Sequence, residues 1–457
     1  MIKRLNKIAY YVEKTSINLQ LIFLFISSFL IRFVFCIVFI KTRGIFLGSD
    51  SSEYIRFGKC ILKQGWMVRN IEPLYGSTIG PGYPLIVALN FLISGLDKFW
   101  FLIFVQCLMG TLTVLVVYKL AFKMSNNKIV AFLSGLWLSI YIQYIWYTPW
   151  VLKETLVFIL FPCSIYLAIK IRDSLELASK ETIFFILCFT YLIHSDERYI
   201  IFLPFILLFI LVPFNYFKKR LLTLFVLLIG IIVFMLPWLY RNYLVYNRPV
   251  ILTVRTTVLT DKFLGYEPLW SYEKSYNSLT KQYRIRTGSE KTIPIYKSIV
   301  DSLLSGKQIK STEENIYGLN NIKEQVSKGN IPVPFNKVKR FWSYFKAFWQ
   351  PCNFKGNFTG NGYRYEAPWN MRLNITSILQ YGILLPFFIY GIYIIFKNKN
   401  QIGIFLFVII FIHAFVHIFI TWSNTRYRLP IDSFIIIIAF TGIFNLFEKI
   451  KTFSIKG

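Results

Sequence analysis

The chain has 457 residues, of which 55% are hydrophobic and 19% aromatic, more than a water-soluble core of this length needs. Its 51 Lys and Arg against 22 Asp and Glu give a formal net charge of +29. These values exclude an ordinary soluble enzyme and predict an all-α polytopic membrane protein, with part of the cationic excess setting its orientation.

In chain order, apolar runs long enough to cross a bilayer fall at about 18–40, 99–121, 129–147, 150–170, 182–194, 198–216, 220–239, 373–396, 401–422 and 429–447, about 10 transmembrane helices. The basic start (Lys3, Arg4, Lys7, Lys14) precedes an apolar run with no small-residue cleavage site, so the first span is read as retained. Arg32 lies inside that span, where a cation needs an acid, a carbonyl or water. Just after it comes Gly48-Ser-Asp-Ser-Ser-Glu53-Tyr54. Asp50 there has two readings: a functional carboxylate at the membrane boundary, or the N-cap of a surface helix.

Residues 82–96 are apolar but reach only about 22 Å, so they are laid along the membrane surface. Every second connection then becomes basic: Lys119, Lys123 and Lys128; Lys170 and Arg172; Lys218, Lys219 and Arg220; Lys397 and Lys399; Lys449 and Lys451. The positive-inside rule places both termini in the cytoplasm, most simply at a plasma (inner) membrane. The same parity gathers Asp50, Glu53, Glu154, His194-Ser-Asp-Glu-Arg198, Arg241 and Arg426-Tyr-Arg-Leu-Pro430 on the outer face. Snorkelling explains single cations there, and it explains Asp50, Glu154 and Asp196 poorly. Glu154 also suits a helix N-terminus, and Asp196 and Arg198 also suit a local ion pair.

This divides the chain into an N-terminal transmembrane module (1–240) with a first external loop at 42–98, an external soluble segment (241–371), and a C-terminal transmembrane module (372–457). The external segment is read as a small α/β-type unit, with a strand near 249–258 and a helix across 312–328 opened by the capping box Ser311-Thr-Glu-Glu314. Residues 335–350 interleave cations with aromatics, which suits a helix at the headgroup level and argues against a nucleic-acid partner. Cys60 and Cys352 are the external thiols, for which a disulfide in an oxidising compartment is the lesser reading and free thiols the main one, and His413 and His417, four apart, are read as interhelical packing rather than a metal site. The absence of a Gly-rich phosphate loop, a nucleophile elbow and HExxH excludes an in-chain ATPase.

Four stretches together resemble a family. Asp50-Ser-Ser-Glu-Tyr54 with Gly65, Pro81-Gly-Tyr-Pro-Leu85, Pro237-Trp-Leu-Tyr-Arg-Asn-Tyr243 and Arg426-Tyr-Arg-Leu-Pro430, with Arg32 beside them, resemble membrane glycosyltransferases of the C-type fold (GT-C), specifically the protein-mannosyltransferase-like family 39. The likeness departs at Ser51, where family members often carry a second acid, and it does not extend to 245–370. It implies an inverting transferase that moves a hexosyl or pentosyl group from a polyprenyl-phosphate-linked donor to a glycan, lipid or protein acceptor on the outer side of a cell envelope membrane. Asp50 would be the catalytic base. Arg426, Arg428, Arg241 and Arg198 would bind the donor phosphate, and Tyr54, Glu53, Glu154 and Tyr83 would contact sugar or acceptor. A divalent metal is left open, with no ligand assigned. A lipid-linked glycan polymerase or flippase is the alternative, and a structural membrane protein comes third.

Overall fold

The computed structural model describes residues 10–45, 47, 50–65, 79–174, 179–212, 216–246, 337–351, 371–420 and 425–456. The predicted strand at 249–258, the helix at 312–328 and the Cys60–Cys352 pair therefore lie wholly or partly outside the described residues. The described residues are mostly helical and form no strand, the arrangement that lets backbone groups satisfy one another in lipid. The helices are α1 (Ile17–Arg43), α2 (Ser51–Gln64), α3 (Gly82–Ser94), α4 (Trp100–Ser125), α5 (Lys128–Ser139), α6 (Ile142–Trp146), α7 (Glu154–Ser174), α8 (Lys180–Ser195), α9 (Leu203–Leu211), α10 (Phe217–Tyr246), α11 (Lys337–Trp349), α12 (Met371–Lys397), α13 (Gln401–Phe415) and α14 (Thr425–Lys456).

Among the described residues, α1, α4, α7, α10, α12, α13 with its π-helical extension, and α14 are long and apolar enough to cross a membrane. The chain is a multi-pass integral membrane protein, and Leu19, Ile22, Ile26, Leu30 and Val34 of α1 are correspondingly exposed apolar groups. Three of the ten expected spans take a different form. The run at 129–147 is broken into α5 and α6, that at 182–194 is the 16-residue α8, and that at 198–216 is a 3-10 turn (Glu197–Phe202) followed by the short α9.

The break between α5 and α6 has a chemical cause. A helix that ends inside a bundle leaves carbonyls and N–H groups that must find partners. Arg32 of α1 supplies them for the end of α5, donating to the carbonyls of Leu138 and Ser139 at 3.3 Å each. Gln380 of α12 bridges the gap itself, accepting from the Ile142 N–H at 2.8 Å and donating to the Ile140 carbonyl at 2.7 Å. The two terminal nitrogens of the buried cation in the first span thus meet carbonyls, with the Ser28 hydroxyl as a further acceptor, while its buried Nε has no partner.

α12 and α14 pack where their backbones nearly touch. A Cβ at Gly391 would lie 2.1 Å from the Ile438 carbonyl oxygen, and one at Gly442 would lie 2.4 Å from that of Phe387, so both positions require glycine. α3, with 13 residues, reaches only about 20 Å, too short to span. Its N-terminus is fixed against the end of α8: a Cβ at Gly82 would meet the Ser195 hydroxyl at 2.2 Å, and Tyr191 donates to the Gly82 carbonyl at 2.8 Å.

Candidate active site

The turn leading into α7 is held from two sides. Gln106 of α4 donates to the carbonyls of Thr148 and Trp150 at 2.8 and 2.9 Å, and its own carbonyl oxygen accepts from the Tyr83 hydroxyl at 2.9 Å. Ser51, fully buried at the start of α2, donates to the Val151 carbonyl at 2.9 Å. These neutral bonds bring the N-termini of α2 and α7 together, and with them Asp50 and Glu154. Ser51 also explains its own departure from the resembled pattern: an acid there would set a carboxylate against a buried carbonyl.

Arg426, at the start of α14, lies between the two acids. Its Nη2 reaches Asp50 Oδ2 at 2.8 Å, and its Nε is bonded to Glu154 Oε1. The guanidinium is 13% exposed, Glu154 is 8% exposed and Asp50 is 42% exposed, so the pair opens to water on the Asp50 side. Asp50 stands at the N-cap position of α2, but its side chain makes no capping bond there. Glu154 Oε2 is buried with no hydrogen-bond partner.

Beside this triad a second ion-pair group forms. Asp196 bonds Arg198, with Nε at 2.7 Å from Oδ1, and Lys153 Nζ lies 2.9 Å from Oδ2. Burial alone would raise the Asp196 carboxyl, but Arg198 and Lys153 together hold it well below the usual carboxylate range. Arg198 also lies 4.7 Å over the Tyr427 ring, which joins the turn after α8 to α14. A cavity of about 20 Å³, room for about one water, is lined by Lys153, Glu154, Asp196, Arg198, His417 and Arg426 among others.

Of the remaining residues singled out in sequence, Arg428 lies elsewhere. It is fully buried, 2.9 Å from Asp432 one turn along α14, 3.7 Å over the Tyr381 ring, and bonded to the carbonyls of Phe348 and Gln350. It therefore ties α14 to α11, the cation–aromatic helix. Arg241 is buried 4.8 Å over Trp238, whose ring packs on Phe57 of α2, and it does not line the cavity beside Arg426. Tyr54 and Tyr83 are buried edge to face at 4.9 Å beneath Asp50, with burial keeping both phenols well above their ordinary pKa. Their placement supports the α2–α3 pair; neither ring is open to a sugar in this arrangement. Glu53 is partly buried in the first turn of α2. His413 and His417 are buried among Phe348, Tyr427 and each other.

Sequence reasoning missed Lys153, Gln106 and Asp432, and it named Tyr427 within its motif without giving it a role. Asp432 was open to discovery, because Arg428 and Asp432 are four apart on an apolar helix. Both neighbouring carboxylates are bonded to Arg426, and among the described residues no group of three or more His, Cys, Asp or Glu is arranged to hold an ion.

No protein-family model matches the sequence, and no curated protein matches it. The fold is similar to solved structures of the Archaeoglobus fulgidus oligosaccharyltransferase. The apo form shares 15% identity with a TM-score of 0.53, and the complex with an inhibitory peptide and a dolichol-phosphate shares 14% with 0.52. In both, 94% of this chain is covered and 51% of the other, so the chain spans about half the length of these proteins. The likeness shows a GT-C-like helical membrane fold.

Proposed function

We propose that the protein is an inverting glycosyltransferase that moves one sugar from a polyprenyl-phosphate-linked donor to an acceptor hydroxyl on the outer side of the membrane. The observation that carries this reading is the Asp50–Arg426–Glu154 triad: two carboxylates 376 and 272 residues distant from the arginine along the chain, held on it at one end of an apolar bundle. The GT-C-like fold and the dolichol-phosphate bound to a protein of similar fold support the donor class.

The step needs three things of these residues. Asp50, the more exposed acid, accepts the proton of the acceptor hydroxyl as its oxygen attacks the anomeric carbon from the face opposite the phosphate. The bond between that carbon and the phosphate oxygen breaks, its electron pair stays on the polyprenyl phosphate, and the sugar is inverted. Arg426 holds the phosphate while its negative charge grows. These roles are linked. A guanidinium that turns to the donor phosphate leaves Asp50, and a carboxylate that has lost its cation is a better proton acceptor. Glu154 keeps its hold on Nε and so keeps Arg426 in place during the exchange. Tyr54 and Tyr83 set the α2 N-terminus from below.

The test is to incubate purified protein and its Asp50→Asn variant with a panel of polyprenyl-phosphate sugars and acceptors, measuring release of polyprenyl phosphate. Release by the native chain, and a fall of about 10²–10⁴-fold in the variant with membrane insertion unchanged, supports the reading. Equal release by both removes Asp50 as the base. Movement of the intact carrier across vesicles without sugar transfer replaces the reading with the flippase alternative.

A further inference from the structure

A second polar site lies at the far end of the same helix that presents Glu154. Arg172 follows it by 18 residues on α7, about 27 Å at about 1.5 Å per residue, close to the roughly 30 Å of a hydrocarbon core. Four helix ends meet there: Met124 of α4, Arg172 and Asp173 of α7, Arg220 of α10, and Asn400, Gln401 and Ile402 at the α12–α13 turn. They line a cavity of about 550 Å³, the size of a small-molecule site.

The site is rigidly built. Asn400 donates to the Met124 carbonyl at 2.8 Å and accepts from the Gly403 N–H at 2.8 Å, which fixes the turn on α4. Arg220 donates to the carbonyls of Ile210 at 2.6 Å and Arg172 at 3.2 Å. Arg172 donates from Nε to the Val212 carbonyl at 2.9 Å and from Nη2 to Gln401, while its plane lies 4.3 Å over Phe209. Arg172 and Arg220 are only 7% and 6% exposed.

Charge decides what such a cavity attracts. All the hydrogen-bond acceptors of Arg172 are neutral, and its Nη1 has none among the described residues. The neighbouring Asp173 is bridged to Lys123 at 2.7 Å. Two guanidiniums fixed side by side, one of them bonded by no carboxylate and with donors to spare, favour a compact anion with several acceptor oxygens. Lys218 and Lys219, preceding Arg220, add to the field.

We propose that this cavity binds a phosphate group, that of an anionic phospholipid, in the leaflet opposite Asp50. The proposal does not depend on the transfer reaction, because it rests on the other end of the bundle and on a binding readout.

The test uses the full-length protein in a neutral detergent, with melting followed by tryptophan fluorescence and retained lipid by native mass spectrometry. Phosphatidylglycerol is expected to raise the melting temperature and remain bound where phosphatidylcholine does neither. Gln401→Glu sets a carboxylate of the same size beside Arg172 and is expected to weaken phosphatidylglycerol binding by about tenfold or more. Arg172→Gln is expected to do the same, and if that variant fails to fold, Gln401→Glu decides. If inorganic phosphate reproduces the shift and displaces the lipid, the phosphate site stands with a soluble source. Equal effects of the two lipids, or undiminished phosphatidylglycerol binding by Gln401→Glu, overturn it.

Discussion

Arg426 and Arg428 stand two residues apart at the start of one helix, and their surroundings differ in kind. Arg428 is dry: its acid partner sits one turn along on the same helix, an aromatic ring covers its face, and its remaining donors meet the backbone carbonyls of Phe348 and Gln350 and the side chain of Gln143. Arg426 is shared by two acids that arrive from different helices, one of them open to water. A closed, self-satisfied pair holds helices together, whereas a pair built from separate elements and open on one side can exchange partners with a ligand.

The comparison can be broken most strongly at Arg428. Arg428→Met leaves Asp432 buried without its cation and is expected to cost about 3–5 kcal/mol of stability, seen as a lowered melting temperature in detergent. Replacing both residues by apolar side chains is expected to restore most of that loss. Restoration would mark the pair as structural; sugar transfer lost in a stably folded double variant would place Arg428 with the chemistry instead. At Arg426 the expected change is in rate. Arg426→Lys keeps a charge but loses the planar fork that meets two oxygens at once, so release of the carrier phosphate is expected to slow by about tenfold to a hundredfold with little change in melting. A melting change as large as that of Arg428→Met would erase the distinction.

The smallest effect belongs to Asp196, the acid of the neighbouring ion-pair group. Its folded carboxyl is held below the ordinary value of 3.8, so its stabilising contribution is complete above that pH and is lost as pH falls through the lower folded value. The difference in stability between the native chain and Asp196→Asn should therefore be constant above about pH 3.8 and shrink progressively as the pH falls below it. Unfolding curves that stay equally far apart at every pH would show that the carboxylate charge does not contribute.

Much of the fold was legible because a bilayer allows few solutions. Long apolar runs had to become helices, and the basic clusters at Lys123, Arg172 and Arg220 do meet at one end of the bundle. The three altered spans were not legible for a local reason: hydropathy does not record that Arg32 and Gln380 can satisfy a broken helix from neighbouring ones. At the candidate site, Asp50, Glu154 and Arg426 were each visible as charges at span ends, but which arginine met which acid was not. Arg428 carries the same motif and the same charge as Arg426. Only the register of α14, which turns one side chain to Asp432 and the other to the α2 and α7 N-termini, separates them.

The most direct measurement is thiol cross-linking between positions 50 and 426 in native membranes with a bifunctional reagent about as long as an arginine side chain, using a full-length chain whose own cysteines are replaced by serine. Asp50→Cys with Arg426→Cys should be joined by that reagent, and Asp50→Cys with Arg172→Cys should not. Failure of the first pair, in a protein where Lys123→Cys with Asp173→Cys does cross-link, would contradict the convergence of base and guanidinium.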